Sequence, residues 1–103
     1  MDILLNKLRD IELRYRELEG QLSDPQIVSK PNLYRKYAKE HSDLTELVDA
    51  IRKYEKIIAH IEEYEGFLEE DDAELRDMVK EEIPQLLQEK AQLEDEMRVM
   101  LLP

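Results

Sequence analysis

The chain has 103 residues, with 15 Lys and Arg against 26 Asp and Glu, a formal net charge of −11, no cysteine, two glycines and 40% charged residues. This length leaves room for one domain at most, and so much charge with so little glycine excludes sandwiches and barrels in favour of long helices. The longest apolar run is the four residues Val99, Met100, Leu101 and Leu102, whereas a membrane span needs about 20 and a signal-peptide core at least about 7; without cysteine there are no disulfides, thiolate metal sites or thiol nucleophiles, which suits a reducing cytoplasm.

Apolar residues at Leu4, Leu8, Ile11, Tyr15, Leu18 and Leu22 follow a 4-3-4-3-4 spacing that lines one helical face in heptad fashion, so a first helix is expected over about 3–22. Gly20 and then Ser23-Asp24-Pro25 mark its end, because a residue before proline is pushed out of the α region. Ser23 or Asp24 is placed to cap a short helical turn over 25–28, with Pro25 at the first helical position, where its missing amide costs nothing.

After Ser29-Lys30-Pro31 comes the longest periodic stretch. Leu33 and Tyr37 lead into Leu44, Leu47, Ile51, Tyr54, Ile58 and Ile61, which predicts a second long helix over about 31–69, reaching about 58 Å at about 1.5 Å per residue. Glu69-Glu70-Asp71-Asp72 forms the next turn, with Asp71 read as N-cap and Glu74 three residues on as its capping-box partner. A last helix is expected over about 72–101 on the stripe Leu75, Val79, Ile83, Leu86, Leu93, Met97 and Met100. Leu87 and Ala91 cover the stutter where Lys90 falls in phase, and Pro84 predicts a bend between Lys80 and Pro84.

Two long amphipathic helices joined by a short turn bury their stripes by folding back on each other. The expected fold is therefore all-α: a long antiparallel, coiled-coil-like helical hairpin in a single domain, with the shorter amino-terminal helix packed on one end as a three-helix bundle.

Charge is unevenly spread. Residues 1–61 hold 11 acidic and 11 basic side chains, while residues 62–103 hold 15 acidic and 4 basic. The acidic half repels phosphates, so any RNA contact belongs to the first 61 residues. There the basic tract Lys30, Arg35, Lys36 and Lys39 is interleaved with Tyr34 and Tyr37, a composition suited to phosphate contact and stacking. On a helix Arg35 and Lys39 share a face with Lys36 beside them, and Tyr37 belongs to the core stripe. The competing reading of this tract is a solvated helix face.

Catalytic chemistry finds little support. Glu would have to stand three residues before each histidine in a carboxylate-bridged metal bundle, but Ala38 precedes His41 and Ile57 precedes His60 at that spacing. No HExxH pattern occurs, and the serines and threonine lack an adjacent base. The acidic turn lacks the glycine and alternating oxygen ligands of a calcium loop. No catalytic residue, metal or cofactor is expected.

The order of the motifs resembles the amino-terminal helical domain of the class I translation release factors of bacteria, the release factor 1 type that acts at UAA and UAG. The resemblance is carried by Leu8-Arg9-Asp10-Ile11-Glu12-Leu13-Arg14-Tyr15, then Leu22-Ser23-Asp24-Pro25, Tyr34-Arg35-Lys36-Tyr37-Ala38-Lys39-Glu40, Glu74-Leu75-Arg76-Asp77-Met78-Val79-Lys80-Glu81-Glu82 and the terminal Val99-Met100-Leu101-Leu102-Pro103. Pro84 departs from the family's uninterrupted helix. The resemblance implies a cytoplasmic role in termination and a docking surface for the large-subunit stalk base, protein and ribosomal RNA. It also implies a link to the class II release-factor GTPase, with no membrane partner.

It further implies that the Gly-Gly-Gln hydrolysis loop and the stop-codon-reading tripeptide lie in later domains, so that this chain is a piece of a longer protein whose frame continues past Pro103. The isolated domain is expected to be a monomer or weak dimer. The alternative class is a stand-alone helical adaptor or a homo-oligomeric coiled coil.

Overall fold

Four helices and no strand make up the described residues of the computed structural model, which are residues 3–103: α1 (Ile3–Leu22), α2 (Pro25–Val28), α3 (Pro31–Phe67) and α4 (Ala73–Met100). The protein is all-α, as the 3.5-residue period of its apolar positions requires. The stripe read from the sequence is the buried one. Leu8, Tyr15 and Leu18 of α1, Leu47, Ile51, Tyr54 and Ile61 of α3, and Val79 and Met97 of α4 are all buried, together with Val48 and Ala50.

α1 gives way to α2 through hydrogen bonds that occupy carbonyls a helix end would otherwise leave open. Ser23 N donates to Gly20 O and Asp24 N to Gln21 O, both at 3.2 Å, while Ser23 Oγ donates to Glu19 O at 3.0 Å. The cap of α2 is Asp24, which accepts from Gln26 N at 2.9 Å with Pro25 at the first helical position. Asp24 rather than Ser23 therefore resolves the sequence-level choice.

Two details of the acidic turn differ from expectation. α3 stops at Phe67, short of residue 69, and Leu68, Glu69 and Glu70 each donate back three residues to Glu65, Gly66 and Phe67 at 3.2 Å. These tighter bonds close the helix before the acidic run, because four adjacent carboxylates favour the solvated turn. The cap of α4 is Asp72, not Asp71: its backbone is extended at φ −85° and ψ 109°, and its carboxylate accepts from Glu74 N at 3.0 Å and Leu75 N at 3.2 Å. Glu74 then falls one position too early to close a capping box, and serves as the acidic residue of the first turn, with Arg98 the basic residue of the last. Both signs suit the helix dipole. α4 runs through Pro84.

The chain divides into two compact units, residues 1–51 and 52–103, with the division falling inside α3. In the first unit α1 and the leading part of α3 are antiparallel neighbours, since residues 14, 15 and 19 meet residues 40, 45 and 41 respectively. In the second unit the rest of α3 runs antiparallel to α4. Tyr54 OH donates to Glu94 Oε2 at 2.6 Å, and further along α3 Ile58 and Ile61 share a groove with Leu87 and Lys90. Each unit thus pairs two amphipathic helices through their apolar stripes, the arrangement of a helical bundle.

Candidate functional site

The basic tract sits at the start of α3, in the first unit. Lys30 directly precedes the helix: its N–H donates to Ile27 O at 3.0 Å, and its carbonyl accepts from Tyr34 N at 2.9 Å. Pro31 then opens α3 with a backbone already set for the helix. The first turn of α3 contains no acidic residue. A lysine at a helix N-terminus faces the positive end of the dipole, so Lys30 does not add to helix stability.

All four predicted residues are solvent-exposed. At 3.6 residues per turn Arg35, Lys36 and Lys39 fall within an arc of about 100° on α3, so the helix brings these three together while Lys30 stands one turn before them. Lys39 Nζ reaches Asp43 Oδ2 at 3.0 Å, an exposed i,i+4 pair of little energetic weight. Lys36 lies close enough to help hold the Glu40 carboxyl below its ordinary pKa. Among the described residues no ion pair is formed by Lys30 or Arg35. Of the two tyrosines, Tyr34 is the exposed one at 38%. Tyr37 is half-buried, with the Arg14 guanidinium 5.9 Å from its ring centre.

What fixes this face is a set of contacts to α1 that the sequence did not disclose. Arg14 grips Glu40 with two bonds, Nε to Oε2 at 2.5 Å and Nη2 to Oε1 at 2.8 Å, and also reaches Glu17 at 3.2 Å. The hydrogen bonds from Arg14 lower the Glu40 pKa, and those to Glu40 chiefly raise that of Arg14, so both stay charged. One residue on, the Tyr15 ring stacks on His41 with centroids 4.2 Å apart and planes 16° apart. Tyr15 OH lies 3.1 Å from Thr45 Oγ1, which donates to His41 O, and His41 Nε2 is 3.9 Å from Glu19. The pairs that join α1 to α3 are separated by 22 to 30 positions in the chain, and no local pattern marks them.

The histidines occupy separate settings. His41 is the half-buried ring against Tyr15, while His60 is exposed and stacked 5.7 Å from Tyr64 in the second unit. Among the described residues no three His, Cys, Asp or Glu side chains are grouped to hold a metal ion. No helix of the described residues is long and apolar enough to cross a membrane. Among the described residues the arrangement offers cations on an exposed helical face.

Residues 11–103 match the PCRF domain. Over 100 residues the chain is 51% identical to peptide chain release factor 1 of Syntrophus aciditrophicus, covering 97% of this chain and 28% of that protein. It is 44% identical over 101 residues to peptide chain release factor 1 of Bacillus subtilis, with the same two shares. The protein of that name from Desulfitobacterium hafniense is 41% identical over 98 residues, covering 94% and 28%. The chain therefore spans 28% of the length of these curated relatives. No solved structure matches it.

Proposed function

The chain belongs to the PCRF-domain family, and from that premise we propose that it acts in stop-codon-dependent translation termination, at UAA and UAG, as the helical docking domain of a longer release factor. The observation that carries this reading is the similarity to release factor 1 proteins along nearly the whole chain, at up to 51% identity. Hydrolysis and decoding are assigned to other parts of that longer protein. The two glycines, Gly20 and Gly66, are far apart, and Ile27, Leu33 and Leu86 follow two residues after Pro25, Pro31 and Pro84. Neither a Gly-Gly-Gln loop nor a Pro-x-Thr reader can be written from these residues.

The partner we assign is the ribosome at the large-subunit stalk base, protein and ribosomal RNA together, with the class II release-factor GTPase as a second partner and the cytoplasm as the setting. Lys30, Arg35, Lys36 and Lys39 serve as the phosphate contacts. A guanidinium and three ammonium groups at the exposed start of a helix suit backbone phosphates, which position a protein without reading sequence. The test compares the chain with its Arg35→Ala, Lys36→Ala, Lys39→Ala variant in binding to an isolated stalk-base fragment over a salt series. Each lost phosphate contact should flatten the log–log salt slope by about 0.7–0.9, with weaker affinity at low salt. An unchanged affinity and slope would remove the tract from the interface. In a release assay the chain alone should free no peptide at any stop codon, while the full-length factor acts at UAA and UAG and not at UGA.

A further inference from the structure

The second unit carries an unpartnered groove with an unusual charge layout. It has a volume of about 420 Å³ and lies between α3 and α4, with Ile57 and Leu93 at its floor. Both of these are half-buried, and the rim side chains are exposed. The α3 rim is basic, with Lys53 and Lys56; the α4 rim is acidic, with Glu89 and Glu96 on either side of Gln92. Glu96 accepts a hydrogen bond from Gln92 Nε2 at 3.4 Å. Among the described residues Lys53, Lys56 and Glu89 form no ion pair. Apolar floor positions flanked by opposite charges on the two edges are the pattern by which paired helices choose partner and orientation.

We propose that this groove is a self-association surface on which a second copy of the chain docks, related by a two-fold axis parallel to α3 and α4. The axis direction follows from charge. Rotation about a line parallel to the helices lays the α3 of each copy over the α4 of the other, so each basic rim meets an acidic one. A two-fold perpendicular to the helices would instead set Lys against Lys and Glu against Glu.

The levels also agree. Tyr54 stands opposite Glu94, so Lys53 of one copy comes within one residue of the level of Glu96 of the other, and Lys56 falls between Glu89 and Glu96. Ile57 and Leu93 of both copies then close a four-helix layer, an isologous contact. Nucleic acid is a poor occupant because the acidic rim repels phosphates. A groove lined by seven residues belongs with the smaller interfaces, and the net charge of −11 opposes association. The dimer is therefore weak and concentration-dependent. It stands apart from the ribosome-docking reading, because it is measured on the pure chain.

Sedimentation equilibrium across a concentration series tests it, with circular dichroism confirming that each variant keeps its helices. The native chain should pass from monomer to dimer. The double variants Lys53→Glu/Lys56→Glu and Glu89→Lys/Glu96→Lys should each associate roughly ten-fold more weakly or not at all, since both rims then carry one sign. Mixed in equal amounts, the two variants should form one-to-one heterodimers at least as tight as the native dimer, because every rim again faces its opposite. A chain that stays monomeric at every concentration, a dimer that survives either charge reversal, or a mixture that fails to pair would each overturn the proposal.

Discussion

Arg14 and Glu40 join the two helices of the first unit through a contact between distant residues. Both are about one-third exposed, so solvent screens the pair, yet its two-pronged geometry fixes the α3 face that bears the basic tract. The Glu40 pKa is lowered, first by its hydrogen bonds from Arg14. A carboxyl with a depressed folded-state pKa stabilises above its unfolded pKa and loses that contribution as pH falls through the folded value. The native chain should therefore be more stable than Glu40→Gln at neutral pH. The gap should close as the solution is acidified below the usual carboxylate range, as read from urea midpoints over a pH series. A pH-independent gap would mean that the pair acts through packing alone. Arg14 is named in the sequence only as part of a motif, and its partner lies 26 positions away. Periodicity reports which face is buried, not which polar side chains meet across it, and for that reason the tract was legible while its support was not.

Among the elements, the helices were legible because each apolar stripe is long and regular, and the breaks were legible where proline enforces them at Pro25 and Pro31. The acidic turn was harder. Asp71 and Asp72 are neighbours of identical type, and only the backbone decides which one turns its carboxylate onto the first amides of α4. The structure selects Asp72, which accepts from two amides. Asp72→Ala should cost about 0.5–2 kcal/mol, and Asp71→Ala should be close to neutral, both measured by denaturant unfolding. A larger loss for Asp71→Ala than for Asp72→Ala would instead mark Asp71 as the cap. Pro84 acts within the same helix in a different way, removing one amide donor and crowding the carbonyl four residues before it, while α4 continues on both sides of it.

On the scale of the whole molecule, charge divides the chain as the helices do not. The balanced stretch carries the proposed phosphate contacts and the basic edge of the groove, and the acidic stretch carries its acidic edge. The sequence showed the imbalance plainly but not the groove, because its two rims come from α3 and α4, and which of their charges face each other depends on the antiparallel register. That register is pinned by Tyr54 on Glu94, and the matching place in the first unit is held by Tyr15 on His41 and Thr45. With no tryptophan and five tyrosines in the chain, these two buried rings are built-in optical reporters. One phenol is bound to a carboxylate and the other is stacked on an imidazole, so opening either helix pair changes the fluorescence and near-ultraviolet signal of its own tyrosine. Comparing the native chain with Tyr15→Phe and with Tyr54→Phe gives the signal of each ring by difference, over the background of Tyr34, Tyr37 and Tyr64. Because one uninterrupted helix supplies residues to both units, and a helix melts cooperatively, the two signals should change at the same denaturant concentration. Separate midpoints would instead show two independent melting events.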